Sequence, residues 1–249
     1  MRARGLLLWS FNCREEKMIY MKKMFVLALS FAIMATSAFA QGKKKYSDHY
    51  YKRTAQFEQE RPINSNDIVM LGDSLTEGGD WDSLFAGWLP EGISVVNRGI
   101  VGDDAPGIYD RLHQILPGNP KKIFLLVGVN DISHQITSDS VLVDIEKVVA
   151  EIVDKCPNTT LYIQSLLPYN FEKCIYKTMN KQDKTMTIRR VNKGLKKMAR
   201  KYDLKYIYLY DYLKAPGSLH LDGRFTKDGL HINKDAYKIW AKALKKYVK

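Results

Sequence analysis

Apolar residues recur along this chain in two alternating rhythms. Short, nearly continuous apolar runs rich in β-branched and aromatic side chains occur at 67–71, 93–97, 122–128, 160–165 and 205–210. Runs of that length and composition read as strands buried on both faces. Between them lie stretches of helical period near 81–88, 106–116, 138–155 and 184–202, with a last one at 234–247. Strands separated in this way by helices predict an α/β protein, with a five-stranded parallel, doubly wound sheet inside three α/β/α layers. A further segment, 46–60, carries Tyr50, Ala55 and Phe57 on one side and predicts an extra helix packed on the domain. Open sheets of this class bind their ligands beyond the carboxyl ends of the strands, so candidate chemistry is to be sought there.

The N-terminal region follows neither rhythm. From Met21 the chain reads Met-Lys-Lys, then stays uncharged from Met24 to Gly42, with Ala38 and Ala40 just before Gln41. A positive start, an apolar stretch and a small-x-small site predict a signal peptide at 21–40 and export to the periplasm or the extracellular space. The uncharged run approaches the roughly 20 residues that span a bilayer, so a retained anchor is the competing reading, which Thr36 and Ser37 weaken. Residues 1–20 look like neither a leader nor a folded element and predict that translation starts at Met21. Residues 41–65 then form a leader and the extra helix, and residues 66–249 the main domain.

Composition changes this picture only at a few points. With 249 residues, 45% hydrophobic and 11% aromatic, the chain can bury one sizeable core, and disorder is disfavoured. The formal charge of +12 raises the question of a polyanionic partner. Removing 1–40 takes away six of the 39 basic and two of the 27 acidic residues, leaving +8. No nucleic-acid-binding motif accompanies that charge, and export argues against such a partner. Of three cysteines, Cys156 and Cys174 remain after Cys13 is removed; they pair or sit as idle thiols, and their spacing does not decide. His49, His113, His134 and His220 share no ligand spacing, so neither a metal nor another cofactor is expected.

Four short blocks carry candidate chemistry. The first strand runs into Gly72-Asp73-Ser74-Leu75-Thr76-Glu77, which exposes a serine at the functional edge of the sheet with backbone N–H groups around it. A serine there is also a common helix cap. The second strand leads to Gly99-Ile100-Val101-Gly102-Asp103-Asp104, where a glycine lets a backbone N–H approach a ligand or merely shapes a turn. The third gives Gly128-Val129-Asn130-Asp131, whose Asn130 amide can donate to a developing oxyanion, although Asn-Asp is also a turn dipeptide. Before the last helix stands Asp228-Gly229-Leu230-His231, spaced so that one turn sets the carboxylate against the imidazole. Together they supply a nucleophile, a base, its orienter and oxyanion donors on one edge.

In this order the four blocks resemble the GDSL or SGNH hydrolase superfamily, with local wording closest to the branch of platelet-activating-factor acetylhydrolase. The resemblance implies the flavodoxin-like fold of that superfamily. It implies Ser74 as nucleophile, His231 as general base and Asp228 as its partner, with the Ser74 and Gly102 N–H groups and the Asn130 side chain forming the oxyanion hole. Gly99 is a second candidate in its block. Val101-Gly102-Asp103-Asp104-Ala105 departs from the wording usual in that branch, which bears on the shape of the pocket.

The expected activity is therefore hydrolysis of acyl esters through an acyl-enzyme, with a small-molecule or carbohydrate ester as partner and no membrane span once the leader is cleaved. A short chain without an apolar cap points to a small acyl group such as acetyl, on a sugar or similar alcohol. A lysophospholipase or thioesterase with longer acyl preference is one alternative, and a non-catalytic envelope carbohydrate-binding module on the same scaffold is another. Asp73, Gly99, Tyr169 and Phe171 are candidate substrate contacts, with Tyr176 as a further aromatic in the same loop. Trp81 and Trp88, at helical spacing, read first as core. Arg98 and Arg224 read as ordinary surface arginines or as contacts to an anionic substrate.

Overall fold

The computed structural model describes residues 46–249. The expected leader at 21–40, the start at Met21, Cys13 and residues 41–45 lie outside the described residues. Five strands form one sheet: β1 (Asp67–Gly72), β2 (Ser94–Gly99), β3 (Lys122–Leu126), β4 (Thr160–Gln164) and β5 (Lys205–Ile207). All pairings are parallel and the order is β2-β1-β3-β4-β5. Every residue of β1 is buried, as a strand covered on both faces requires. The chain leaves β1 toward one side for β2 and returns on the other for β3, so the switch point of the sheet lies at the ends of β1 and β3.

The helices that the site uses are α1 (Asp48–Gln59), α2 (Ser74–Glu77), α3 (Trp81–Phe85), α4 (Ala105–Asp110), α5 (Val129–Ser133), α6 (Ser138–Lys155), α7 (Lys177–Asn180), α8 (Thr185–Lys201), α9 (Tyr210–Leu213) and α10 (Lys234–Val248). Helix α6 packs on α4 and α8, while α10 packs on α3 and α9. In α6 the apolar positions Val141, Ile145, Val148, Val149 and Ile152 recur at helical spacing and are buried, and Thr137 caps its start by accepting the Ser140 N–H. In α10, Trp240 is buried and donates to Gln164 Oε1 on β4 at 2.8 Å. Trp81 meets Trp240 edge-on at 5.0 Å, so it is a core residue, while Trp88 packs part-buried beside Phe85.

Several boundaries differ from the sequence reading. The 81–88 helix stops at Phe85, and 106–116 divides into α4 and two short 3-10 turns, the break falling at Arg111, whose backbone leaves the helical region (φ −107°, ψ 7°). Strand β5 ends at Ile207, since the N–H groups of Leu209 and Tyr210 turn to the Ser165 hydroxyl instead of continuing a ladder. The extra helix is present as α1, burying Tyr50 and Phe57 against Ile100, but Ala55 faces outward. Cys156 and Cys174 are both free and buried. No helix among the described residues is long and apolar enough to cross a membrane.

Candidate active site

Asp73 ends the extended course of β1 and caps α2, its Oδ1 accepting the Leu75 N–H at 2.9 Å. That cap makes Ser74 the first residue of the helix, where its N–H has no intrahelical acceptor. Ser74 is 9% exposed, and its Oγ lies 2.9 Å from His231 Nε2. The other ring nitrogen, Nδ1, is 2.8 Å from Asp228 Oδ2. The sequence spacing of three between Asp228 and His231 thus becomes a continuous Ser-His-Asp chain of contacts. Asp228 Oδ1 accepts the backbone N–H groups of Leu230 and His231 at 2.9 and 2.8 Å, so the loop turns around its own carboxylate. Burial works against the charge on Asp228, but those N–H groups, the imidazole and the Tyr176 hydroxyl hold its carboxyl down to about 2.

Asn130 lies in the first turn of α5. Its Nδ2 donates to Asp103 O at 2.8 Å, which fixes the amide and leaves a second N–H for a ligand. Gly102 is exposed, with φ at +80°, and no described residue accepts its N–H. The segment just before it is tied down by Glu77, whose Oε2 accepts the Val101 N–H at 2.6 Å. Glu77 also meets His49 and Arg53 of α1, so the extra helix braces this loop. Nothing in the sequence marked Glu77 for that task beyond its place three residues after Ser74.

Below this surface lies a charged cluster that composition hid. Arg111 Nε pairs with Asp103 Oδ2 at 2.8 Å, both side chains being nearly inaccessible, and Arg111 Nη2 donates to Gly72 O at 3.2 Å. Asp131 accepts the Ala105 N–H. Burial pushes the Asp103 carboxyl up while Arg111 pulls it back. Asp73 is fully buried and pushed up to about 7, chiefly by burial, with the Leu75 N–H opposing and Asp103 and Asp131 adding to the rise.

Three sequence expectations are corrected here. Asp73 is not a surface contact for substrate, because its side chain is sealed beneath the turn as a cap. Gly99 is not an oxyanion donor, since its N–H goes to Asn97 Oδ1 at 2.9 Å. Its role is close approach: a Cβ there would lie 2.1 Å from the Glu77 nitrogen. Tyr169 is 1% exposed, donates to Asp183 Oδ1 and accepts the Lys184 N–H, so it packs the loop. Phe171 sits part-buried, edge-on to Tyr169. Arg98 is buried over the Phe57 ring and paired with Glu60, and Arg224 pairs with its neighbour Asp222. Among the described residues no group of three or more His, Cys, Asp or Glu side chains is arranged to hold a metal ion.

Residues 70–239 match the model of the GDSL-like lipase/acylhydrolase family. No curated protein matches the chain. Among solved structures, one described as a platelet activating factor from Streptococcus pneumonia is 24% identical, with TM-score 0.71, covering 88% of this chain and 99% of its own. A GDSL-like lipase from Bacteroides thetaiotaomicron is 17% identical with TM-score 0.65, covering 80% of this chain and 96% of its own. A variant of an acetyl-xylooligosaccharide esterase from Geobacillus Stearmophilus is 17% identical with TM-score 0.60, covering 76% and 96%. At these identities the structures show a shared fold.

Proposed function

The chain belongs to the GDSL-like lipase/acylhydrolase family, and from that premise we propose that it is an exported serine esterase that removes short acyl groups, acetyl above all, from carbohydrate or similar polar alcohols. The observation that carries the reading is the contact chain Ser74 Oγ to His231 Nε2 at 2.9 Å and His231 Nδ1 to Asp228 Oδ2 at 2.8 Å. Ser74 attacks the ester carbonyl while His231 takes its proton, and Asp228 holds the ring in the tautomer that leaves Nε2 free to accept. The tetrahedral oxyanion is met by the Ser74 and Gly102 N–H groups and by the free N–H of Asn130. Collapse expels the alcohol with the proton from His231. Water, deprotonated by the same imidazole, then releases the acid and restores Ser74.

The small acyl group is supported by the 36% exposure of the His231 side chain, which leaves the base open to solvent. The similar fold of an acetyl-xylooligosaccharide esterase supports it as well. A groove of about 630 Å³ between α3 and α10 includes Gly78, but Lys234, Lys238, Lys242 and Lys245 line it beside Leu84 and Trp88, and none of Ser74, Asn130, Asp228 and His231 does, so it does not argue for a longer acyl chain.

A series of p-nitrophenyl esters from acetate to palmitate, tested on the protein and on Ser74→Ala, decides both points. Turnover of acetate by the wild type, lost in the variant, is the expected result. Equal turnover by both proteins overturns the serine mechanism, and a maximum at long chains overturns the acetyl preference.

A further inference from the structure

We propose that Tyr176 is a positioning residue that locks the Asp228–His231 pair, an assignment that rests on the serine-esterase reading of the site. Its hydroxyl donates to Asp228 Oδ2 at 3.0 Å and lies 3.0 Å from His231 Nδ1, while its ring stands edge-on to the imidazole at 5.6 Å. The same Oδ2 accepts the His231 Nδ1–H at 2.8 Å, so the three polar atoms form a closed triangle. Burial and the bond to Asp228 push the phenol up to about 12, which keeps it a donor at any ordinary working pH.

Tyr176 does not reach the pair by chance. The segment that carries it is latched to the catalytic loop through the backbone: Asn170 N donates to Gly229 O at 2.7 Å, and Ile175 N to Asp228 O at 3.1 Å. Gly229 lies so close to this segment that a Cβ there would be 2.5 Å from Cys174 Cα. Asp228 Oδ1 is already filled by the Leu230 and His231 N–H groups and by Thr226. Without the phenol, Oδ2 would be held by the imidazole alone, which is the group it has to orient. With it, the carboxylate is pinned from a third direction and the Nδ1–H meets two oxygens as the ring gains its charge.

The test uses the full chain with p-nitrophenyl acetate and compares wild type, Tyr176→Phe, Asp228→Ala and the double variant. Tyr176→Phe should lower kcat about tenfold, as loss of one hydrogen bond to a charged group allows, with KM within twofold and the melting temperature little changed. In the Asp228→Ala background the same substitution should cost nothing, because its effect passes through that carboxylate. Unchanged kcat in Tyr176→Phe overturns the proposal. So does a raised KM with kcat retained, which would make Tyr176 a substrate contact, or an equal loss in both backgrounds. A readout independent of turnover separates this claim from the esterase reading: in ¹⁵N-histidine-labelled protein, Tyr176→Phe should move the His231 Nδ1–H resonance and leave the other histidines in place. If that resonance stays put, the assignment falls whether or not any ester is cleaved.

Discussion

The Ser74 half and the Asp228–His231 half of the proposed site are held in opposite ways. Ser74 follows a strand with no exposed residue, and its turn rests on Asp73, Asp103, Arg111 and Asp131, all nearly inaccessible. Asp228 and His231 lie between α9 and α10, in a stretch whose pairing is one isolated bridge from Lys214 to Leu221. That stretch is shaped by the Asp228 carboxylate, by Thr226 and by the 170–176 segment. On the first side, therefore, geometry is a consequence of the folded core, and disturbing it should cost stability. On the second side geometry is local, and disturbing it should cost alignment.

The largest expected effect tests the first side. Arg111→Met strips the buried Asp103 carboxylate of its partner and removes a donor from Gly72 O. Breaking a buried pair from one side typically costs about 3–5 kcal/mol, and urea denaturation should read a loss of that order. A loss below about 1 kcal/mol, the range of an exposed pair, would show that this cluster does not carry the turn. Next comes Asn130→Ala. Removal of one oxyanion donor should lower kcat by roughly two to three decades, about 3–4 kcal/mol in the barrier. Stability should fall by only about 1 kcal/mol for the lost bond to Asp103 O. If kcat is unchanged, Asn130 leaves the mechanism.

Asp73 gives the comparison a pH dependence. Its carboxyl is raised to about 7 by burial from an ordinary value of 3.8. The folded state thus binds the proton more tightly than the unfolded state. Its contribution to stability is complete below about 3.8 and is lost as pH rises through about 7. Between pH 4 and 7 this amounts to roughly 3–4 kcal/mol. Asp73→Asn, which keeps a capping oxygen, should flatten the stability profile over that window. A profile parallel to wild type would mean that Asp73 is ionised in its pocket.

Much of this was readable in the sequence, for physical reasons. The apolar runs showed the five strands because a strand buried on both faces admits little else; three of the polar blocks stood out because they fall where those runs stop, and the fourth because it stands just before the last helix. Strand β5 was overread because Tyr208 and Tyr210 continue the apolar pattern while the hydrogen bonds turn to Ser165. Gly99 looked like a donor because a glycine that admits a ligand and one that admits another backbone are the same letter. Tyr169 and Tyr176 lie in one loop with one composition. Their separation into a core residue and a partner of Asp228 depends on backbone bonds to Gly229 and Asp228 that no local pattern encodes. Arg111 was invisible because its reason for burial, Asp103, is reached only through the turn into α4.

The sharpest test of the contrast sets one glycine on each side against the other. At Gly99, φ is ordinary, but an added Cβ would sit 2.1 Å from the Glu77 nitrogen and 2.6 Å from its Cα. Only a shift of α2 against β2 relieves that clash, so Gly99→Ala should lose stability and activity together. At Gly229 an added Cβ would meet the Cys174 backbone at 2.5 Å, and φ is +84°, a region that costs a residue with a side chain about 1–2 kcal/mol. The φ strain alone sets the stability loss of Gly229→Ala at about 1–2 kcal/mol, provided that a small shift of the 170–176 segment from the catalytic loop relieves the contact. Its kcat should fall further than that, since a displacement of about 1 Å in a reacting group can cost a hundredfold. Urea midpoints and kcat on p-nitrophenyl acetate, measured side by side, read both quantities. If Gly229→Ala loses as much stability as Gly99→Ala, the catalytic loop is part of the core after all and the two halves are held alike.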